Sequence, residues 1–289
     1  MARIAGAGAG NGWRWRVLVA LAVLAGCPRN VPLTEDSGAA ADAPLSDGAD
    51  GAGTTDARVS GSDAIGTDGV VLDGVPLDRS CAPSYALVGR VDPERLRRDL
   101  DALAGLGDRN SQAGQARAAS YIRGELNKLG VPVREQSYSW SEKTYVNLEV
   151  TIAGSEDPNE MVMAGGHYDC AAGMPGADDN ASGTAALLEA ARVLAGCQPK
   201  RTIRLLFFSN EEAGDIGSTA YVKELKASVA PSQVIGFIAL DMVAYSSSAN
   251  GALTLATRPP YQALASAMQL ATQQWTALPA TLEISETCG

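Results

Sequence analysis

His167, the only histidine in the chain, stands in a short run of residues whose side chains could bind a metal ion. The run is Gly166-His167-Tyr168-Asp169. A second run, Asp178-Asp179-Asn180, follows it closely, so that Asp179 lies twelve positions after the histidine. Imidazole nitrogen and carboxylate oxygen are both ligands that Zn²⁺ accepts. The spacing predicts that consecutive elements of the fold bring His167 and Asp179 to one metal.

Three apolar stretches, which we predict to be strands, are each followed by side chains that could bind metal. They are residues 161–166 before His167, residues 202–208 before Glu211 and Glu212, and residues 234–240 before Asp241. Parallel strands end at the same edge of a sheet, where ligands bind in α/β folds. Carboxylates crowded at that edge would repel one another unless cations balanced their charge. The sequence therefore predicts a metal centre at the carboxyl ends of these strands.

The candidate ligands can be distributed over two metal ions. Asp179 can bridge both ions. His167 with Glu212 can hold the first ion, and Asp241 can serve the second. Such a centre lowers the pKa of a bound water toward neutrality and stabilises the oxyanion that forms when the water attacks an amide carbonyl. The pattern predicts metal-assisted hydrolysis of amide bonds.

Two further acidic residues have predicted roles in proton transfer and orientation. Glu211 is a natural general base beside the ligand Glu212, because neighbours on an irregular turn can face different directions. Asp169 can accept the imidazole N–H of His167 that does not face the metal.

The elements around these residues alternate between helices and strands. Leucines at helical spacing predict a helix over about 93–106, and a second helix is expected over 116–129. An alternating stretch predicts a strand over 145–152, and a helix rich in small residues and leucine is expected over 182–194. The order predicts an α/β fold with a largely parallel central sheet.

Several side chains near the candidate ligands have structural interpretations. Asp178 and Asn180 are predicted to shape the turn and cap the following helix rather than to bind metal. Met242 is predicted to fill the core, and Tyr168 either packs or lines the substrate crevice. Cys170 could bind zinc as a thiolate, although a cysteine of an exported protein is more often oxidised or buried.

Four ordered motifs resemble those of the co-catalytic zinc aminopeptidases of the extracellular bacterial type. They are Gly-His-Tyr-Asp, Pro-Gly-Ala-Asp-Asp-Asn-Ala-Ser-Gly, Phe-Phe-Ser-Asn-Glu-Glu-Ala-Gly and Leu-Asp-Met, and the match runs from roughly residue 92 to residue 245. The resemblance implies a three-layer α/β sandwich in which helices flank a mostly parallel sheet. It also implies an enzyme that removes N-terminal residues from peptides with two zinc ions.

The resemblance implies a role for each candidate residue, and it also implies a ligand that this chain does not contain. It implies His167 and Glu212 on one zinc, Asp241 on the other, Asp179 as the bridge, Glu211 as the general base and Asp169 as the support of His167. The family's second zinc takes a further histidine downstream of the aspartate that Asp241 matches, and this chain has none. We therefore expect that the C-terminal part of the domain is missing and that the second zinc binds weakly.

The first 27 residues are predicted to be an export signal. Three arginines charge the segment, and residues 17–24 form an apolar core too short to span a membrane comfortably. Residues 24–27, Leu-Ala-Gly-Cys, resemble the lipobox of bacterial lipoproteins. This implies a lipidated Cys27 that anchors the protein at the cell envelope, at the outer membrane or the cell surface. An ordinary signal with an incidental cysteine is the alternative.

Residues 28–80 are predicted to be a disordered linker, and residues 81–289 an incomplete zinc peptidase domain. The linker is rich in Ala, Gly and Asp and has no aromatic residue, so it cannot bury enough apolar surface to offset the entropy of ordering. Nine aspartates and one glutamate against three arginines place −7 of the formal charge of −10 there. The remainder is also acidic, which argues against a nucleic-acid partner.

The other cysteines leave the disulfide pattern open. Cys81, Cys170, Cys197 and Cys288 could form up to two disulfides in an exported protein, with three possible pairings if all of them join.

The residues also leave other functions open. The chain could be a catalytically impaired surface lipoprotein that binds peptide. It could also be an acyltransferase such as glutaminyl cyclase, which shares the fold and typically works with one zinc. Carboxypeptidase and dipeptidase variants fit the same motifs, and side-chain specificity is not readable because it depends on loops.

Overall fold

A computed structural model describes residues 87–245, 253–276 and 278–286 of the 289-residue chain. The predicted export signal, the predicted linker and the cysteines Cys81 and Cys288 lie outside these ranges. Across the described ranges, none of the helices combines the length and the apolar character that a membrane crossing requires.

Five α-helices of twelve or more residues are present in the described part of the chain. They are α1 (Pro93–Gly105), α2 (Gln112–Lys128), α3 (Gly183–Leu194), α4 (Ile216–Ser228) and α5 (Gln262–Trp275). The first two begin where the sequence favours a helix start. The Asp92 carboxylate accepts the N–H groups of Glu94 and Arg95, and Ser111 accepts that of Gly114. The predicted helices over 93–106, 116–129 and 182–194 are thus confirmed, whereas α4 was not predicted.

The described residues form seven strands in two sheets. They are β1 (Val133–Trp140), β2 (Lys143–Ile152), β3 (Asp157–His167), β4 (Arg201–Phe208), β5 (Val234–Ala239), β6 (Leu253–Thr257) and β7 (Ala280–Ile284). The main sheet has the order β1-β2-β4-β3-β5, and β6 pairs with β7. Helices cover both faces of the main sheet, so the predicted α/β architecture is confirmed.

The main sheet is mixed, which qualifies the expectation of a largely parallel sheet. β3 runs parallel to β4 and β5, and these three strands carry the candidate ligands at their ends. β1 and β2 are antiparallel, and β2 is antiparallel to β4. The first of these pairs is joined by a two-residue hairpin loop, in which Ser141 and Glu142 both have positive φ angles of 49° and 64°. Such a loop joins only antiparallel neighbours.

The central strand β3 packs against different partners on its two faces. Val162 and Ala164 belong to the main core with residues of α1, α2 and α3, while Met161 and Met163 pack with Tyr221 of α4. This alternation follows from the two-residue period of a strand. It produces a layer of helices on each face, and every residue of α3 except one is buried.

A second unit of strand, helix and strand follows β5. Helix α5 connects the parallel pair β6 and β7, as expected from a crossover connection. Its Leu264 packs closely on β5, since a Cβ added at Gly236 would lie 2.8 Å from the leucine Cδ2.

Candidate metal centre

The ends of β3, β4 and β5 bring the candidate ligands together. His167 is the last residue of β3 and is 5% exposed, so its ring forms the floor of the site. Its Nε2 lies 3.1 Å from Asp179 Oδ1, 3.5 Å from Asp241 Oδ1 and 3.8 Å from Glu211 Oε2. The three carboxylates are partly exposed and form an acidic rim above the imidazole.

Two groups of side chains have ligand atoms close enough to share an ion. One consists of His167, Asp179 and Asp241, and the other of His167, Glu211 and Glu212; within each group the ligand atoms lie within 4.8 Å of one another. The second group contains the predicted pair of His167 and Glu212. The first places Asp241 beside His167, although the sequence interpretation put these two residues on different ions. An imidazole nitrogen has a single lone pair, so His167 Nε2 serves one ion only.

Asp169 contacts both the histidine and the turn that carries the two glutamates. Its Oδ1 lies 3.3 Å from His167 Nδ1, but this nitrogen has no aligned hydrogen-bond acceptor in the described part of the chain. The same carboxylate accepts the backbone N–H of Glu211 at 3.1 Å and that of Glu212 at 3.2 Å. Asp169 therefore orients the two glutamates as well as lying beside the imidazole.

The turn after β4 depends on a residue that the sequence interpretation missed. Asn210 has a φ angle of 52° and turns the chain sharply before Glu211. Its side-chain oxygen accepts a hydrogen bond from Gln115 at 2.7 Å, and its amide donates to the Tyr138 hydroxyl at 3.0 Å. Asparagine tolerates this backbone conformation better than most residues. An asparagine directly after an apolar strand was therefore the sequence signal for this turn.

The turn after β3 presents Asp179 between residues with structural roles. The Asp179–Asn180 peptide bond is cis. The Asn180 side-chain oxygen accepts the N–H of Gly183 at 2.9 Å, which confirms that this residue caps the start of α3. Thr184, one residue further, donates to the carbonyl of His167 at 2.9 Å and so ties the helix to the end of β3.

Arg109 supports the loop between the two ligand runs and was not predicted. The side chain is fully buried. Its guanidinium donates to the carbonyl oxygens of Tyr168, Pro175 and Gly176 and to that of Leu103 at the end of α1, at 2.7–2.9 Å. One planar group thereby holds both ends of the loop that separates His167 from Asp179. No short motif marks this role, because the three partners in the loop lie 59 to 67 residues away.

The charge of the centre shifts the pKa values of its members. Burial raises the pKa of Asp179, Glu211 and Glu212, and neighbouring carboxylates add to each rise. Burial opposes the charged form of His167, but the carboxylates of Asp169 and Asp241 outweigh it and raise the histidine pKa to about 10. Without a metal, the imidazolium is thus the cation that balances the cluster.

The donor set fits a zinc ion. It combines one imidazole with carboxylates, which are the nitrogen and oxygen ligands that Zn²⁺ accepts. Glu212 Oε1 is buried without a hydrogen-bond partner among the described residues. A buried carboxylate oxygen with no donor is costly, and a cation would satisfy it.

The structure also shows where Tyr168, Met242 and two of the cysteines lie. Tyr168 packs in the core, with its hydroxyl donating to the Val146 carbonyl. The prediction that Met242 fills the core is wrong, because it is 52% exposed and has a φ angle of 47° on the turn after β5. Cys170 is a buried free thiol that accepts the N–H of Arg109 and belongs to neither metal group, and Cys197 is also free.

Several solved structures share this architecture. The LapA aminopeptidase of Legionella pneumophila aligns with a TM-score of 0.58 at 20% identity, covering 68% of this chain and 56% of that chain. LapB of the same organism aligns at 0.59 with 24% identity, over 71% and 57%. A glutaminyl cyclase of Bacteroides thetaiotaomicron aligns at 0.51 with 18% identity, over 67% and 78%. The fold is that of the zinc exopeptidase-like α/β proteins.

Sequence comparison gives a match to a family. Residues 147–283 match the model of peptidase family M28. The leupeptin-inactivating enzyme 1 of Streptomyces exfoliatus is 35% identical over 136 residues, 46% of this chain and 31% of that protein. A probable zinc metalloprotease of Pyrenophora teres f. teres is 34% identical over 194 residues, 57% and 40%. The chain thus spans well under half the length of these curated relatives.

Proposed function

We propose that this protein is a zinc-dependent aminopeptidase. The observation that carries the proposal is the convergence of one imidazole and four carboxylates at the ends of three parallel strands, in a region that matches the M28 family model. Such a cluster is electrostatically unfavourable unless it binds cations.

The geometry supports a specific distribution of the ligands. His167, Asp179 and Asp241 would hold one zinc ion, because Asp179 and Asp241 lie nearest to the histidine Nε2. Asp179 and Glu212 would contribute to a second site. Bound zinc supplies Lewis acidity toward a water and toward the peptide carbonyl.

The protein's own contribution to proton transfer would come from Glu211. Its pKa is raised by burial, which makes its carboxylate a better proton acceptor near neutral pH. Glu211 Oε2 would accept a proton from the attacking water and pass it to the departing amine. The hydrogen bonds from the Glu211 and Glu212 amides to Asp169 would hold the carboxylate in place during both transfers.

A carboxylate left free by the zinc ions would favour a substrate amino terminus over a carboxyl terminus. Glu211, which is not assigned to zinc, would attract the ammonium group of a peptide. A carboxypeptidase needs a cation that can receive the substrate carboxylate. Arg109 cannot do so, because it is buried and its guanidinium is already bound to backbone carbonyls.

A panel of substrates tests this proposal on the zinc-loaded 289-residue chain. We expect release of chromophore from aminoacyl p-nitroanilides and no reaction with an N-acetylated analogue, which lacks the free amine. Cyclisation of N-terminal glutaminyl peptides would indicate a glutaminyl cyclase instead. Release of C-terminal residues would indicate a carboxypeptidase. Zinc binding without any turnover would favour the peptide-binding lipoprotein.

We also propose that the protein is exported and anchored to the cell envelope through a lipidated Cys27, where peptides would be its substrates. The proposal rests on the signal-like segment 1–27 and its Leu-Ala-Gly-Cys end. Metabolic labelling with a fatty acid should mark the protein in cells, and Cys27→Ser should abolish the label. Equal labelling of both forms would contradict the anchor.

A further inference from the structure

Asp241 lies where the main sheet supports it least. It follows β5, which is the edge strand of the five-stranded sheet. Ile235 and Phe237 on this strand are nearly half exposed. The last backbone bond to the sheet before the aspartate is Leu240 N–H to the Gly165 carbonyl at 2.8 Å. The backbone that carries this candidate ligand therefore needs support from elsewhere.

That support comes from the turn that carries Asp179. On one side of Asp241, the Asn180 amide donates to the Leu240 carbonyl at 2.8 Å. On the other side, the Ser182 hydroxyl oxygen accepts the N–H of Val243 at 3.0 Å.

Asp178 completes this second side. Its Oδ1 accepts the N–H groups of Ala244 at 2.9 Å and Tyr245 at 3.0 Å. The Ser182 hydroxyl also donates to the Asp178 carbonyl at 2.7 Å, so the supporting side chains are linked to one another.

We infer that Asp178, Asn180 and Ser182 form a clamp that positions Asp241 against Asp179. The three residues alternate with positions 179 and 181, and their side chains bind the backbone on both sides of Asp241. Asn180 and Ser182 are buried, so water competes poorly for their bonds. The clamp is a set of positioning residues for the zinc site of the proposed function, on which this inference rests.

The physical effect of the clamp is pre-organisation. Without it, residues 240–245 would have to become ordered when the metal binds. The conformational entropy lost in that ordering would make metal binding weaker. Outer residues that orient metal ligands typically change metal affinity by about 10- to 100-fold when mutated. Each member of the clamp should therefore affect zinc affinity without touching zinc.

The test compares Asp178→Ala with Asp178→Asn in chelator competition for zinc. The alanine removes both acceptor bonds, and we expect about a 10- to 100-fold loss of affinity. The asparagine keeps an acceptor oxygen while removing the charge, and its affinity should stay close to that of the native chain. Equal losses in the two variants would assign the effect to charge and overturn the clamp. Asp101→Ala, on the exposed face of α1, is the matched control.

Ser182→Ala gives a second measurement that is independent of charge. It removes the acceptor for Val243 N–H and should weaken zinc binding, whereas Ser120→Ala on the exposed face of α2 should not. This variant also keeps the inference testable if Asp178→Ala does not fold. A native zinc affinity in Ser182→Ala would contradict the clamp.

A double-mutant cycle separates positioning from general destabilisation. If Asp178 acts through Asp241, then Asp178→Ala should cost little further zinc affinity in an Asp241→Asn background. Fully additive losses would contradict that coupling. Hydrogen exchange gives a readout without zinc: the amides of Ala244 and Tyr245 should exchange faster in Asp178→Ala than in the native chain, and unchanged protection would contradict the clamp.

The outcomes distinguish this inference from the proposed function. A native chain that binds no zinc would overturn the proposed function. A native chain that binds zinc, with unchanged affinity in Asp178→Ala and Ser182→Ala, would overturn the clamp alone.

Discussion

At the residue scale, one imidazole nitrogen faces three carboxylates. His167 Nε2 lies 3.1–3.8 Å from oxygens of Asp179, Asp241 and Glu211. In the absence of metal this arrangement keeps the imidazole protonated, and in its presence the proton must leave. The same cluster can therefore hold either a proton or a metal ion, and its chemistry depends on which one is bound.

Glu211 should be separable from the ligands by mutation. Glu211→Gln keeps the size of the side chain but cannot accept a proton, so we expect kcat to fall by about 10²- to 10⁴-fold with bound zinc retained. Steady-state kinetics with an aminoacyl p-nitroanilide and metal analysis of the same sample measure both effects. Full activity in this variant would remove Glu211 from the role of general base.

The raised pKa of His167 predicts a pH dependence of the metal-free chain. The folded pKa of about 10 lies above the unfolded value of 6.5. The protonated imidazole thus contributes stability that is fully present below about pH 6.5 and is lost as the pH rises through 10.

Zinc binding at pH 8 should consequently release about one proton from this histidine. Calorimetry in two buffers of different ionisation enthalpy measures that number. Binding enthalpies that do not differ between the buffers would show that His167 is neutral before the metal arrives.

At the element scale, three turns carry the site, and each is held by residues from another element. Gln115 of α2 binds the turn after β4 through Asn210, and Asp178 binds the turn after β5. Arg109, between α1 and α2, holds the loop after β3. Side chains from neighbouring segments thus add to the backbone hydrogen bonds of these turns and help to determine their conformation.

Removing Arg109 should destabilise the whole domain. Arg109→Met removes four guanidinium hydrogen bonds to buried or partly buried carbonyl oxygens, and we expect the free energy of unfolding to fall by about 3 kcal/mol. Arg109→Lys keeps the charge but cannot reproduce the planar fork, so it should rescue only part of the loss. Urea unfolding measures both, with Arg117→Met on the exposed face of α2 as the control. A loss below about 1 kcal/mol in Arg109→Met would show that water replaces the guanidinium.

Some elements were predictable, and the reason lies in their burial. β3 and β4 are covered on both faces by helices, so they appear in the sequence as continuous apolar runs. Most residues of β1 are polar, and Gln136 is the one residue of this strand that is buried. The strand is held beside β2 by the hairpin. Helix α4 buries only Gly217 and Tyr221, so its apolar pattern is too weak to predict it.

At the scale of the whole molecule, the parallel arrangement of β3, β4 and β5 converts separate motifs into one site. The ligands come from positions 167 to 241, and the strand order places them at one edge of the sheet. In the same arrangement, the first residue of α3 lies close to the backbone just before Asp241. A Cβ at Gly183 would lie 2.4 Å from the Leu240 carbonyl, so glycine permits this close approach.

The ligand set predicts how many zinc ions the 289-residue chain holds. His167, Asp179 and Asp241 form one group with an imidazole ligand, whereas the proposed second site would have only Asp179 and Glu212. We expect one tightly bound zinc per chain after dialysis, measured by inductively coupled plasma mass spectrometry. Two tightly held ions would contradict this ligand assignment.

The sequence by itself determined which residues could carry the chemistry. Ligand-type side chains after buried apolar strands are a local pattern, because strand burial and turn chemistry are set by neighbouring residues. Only the tertiary structure decided that Asp241 lies with His167, that Asp178, Asn180 and Ser182 hold the backbone around Asp241, and that Arg109 holds the loop. These contacts join residues about sixty or more positions apart in the chain, and local patterns carry no information about which distant groups will meet.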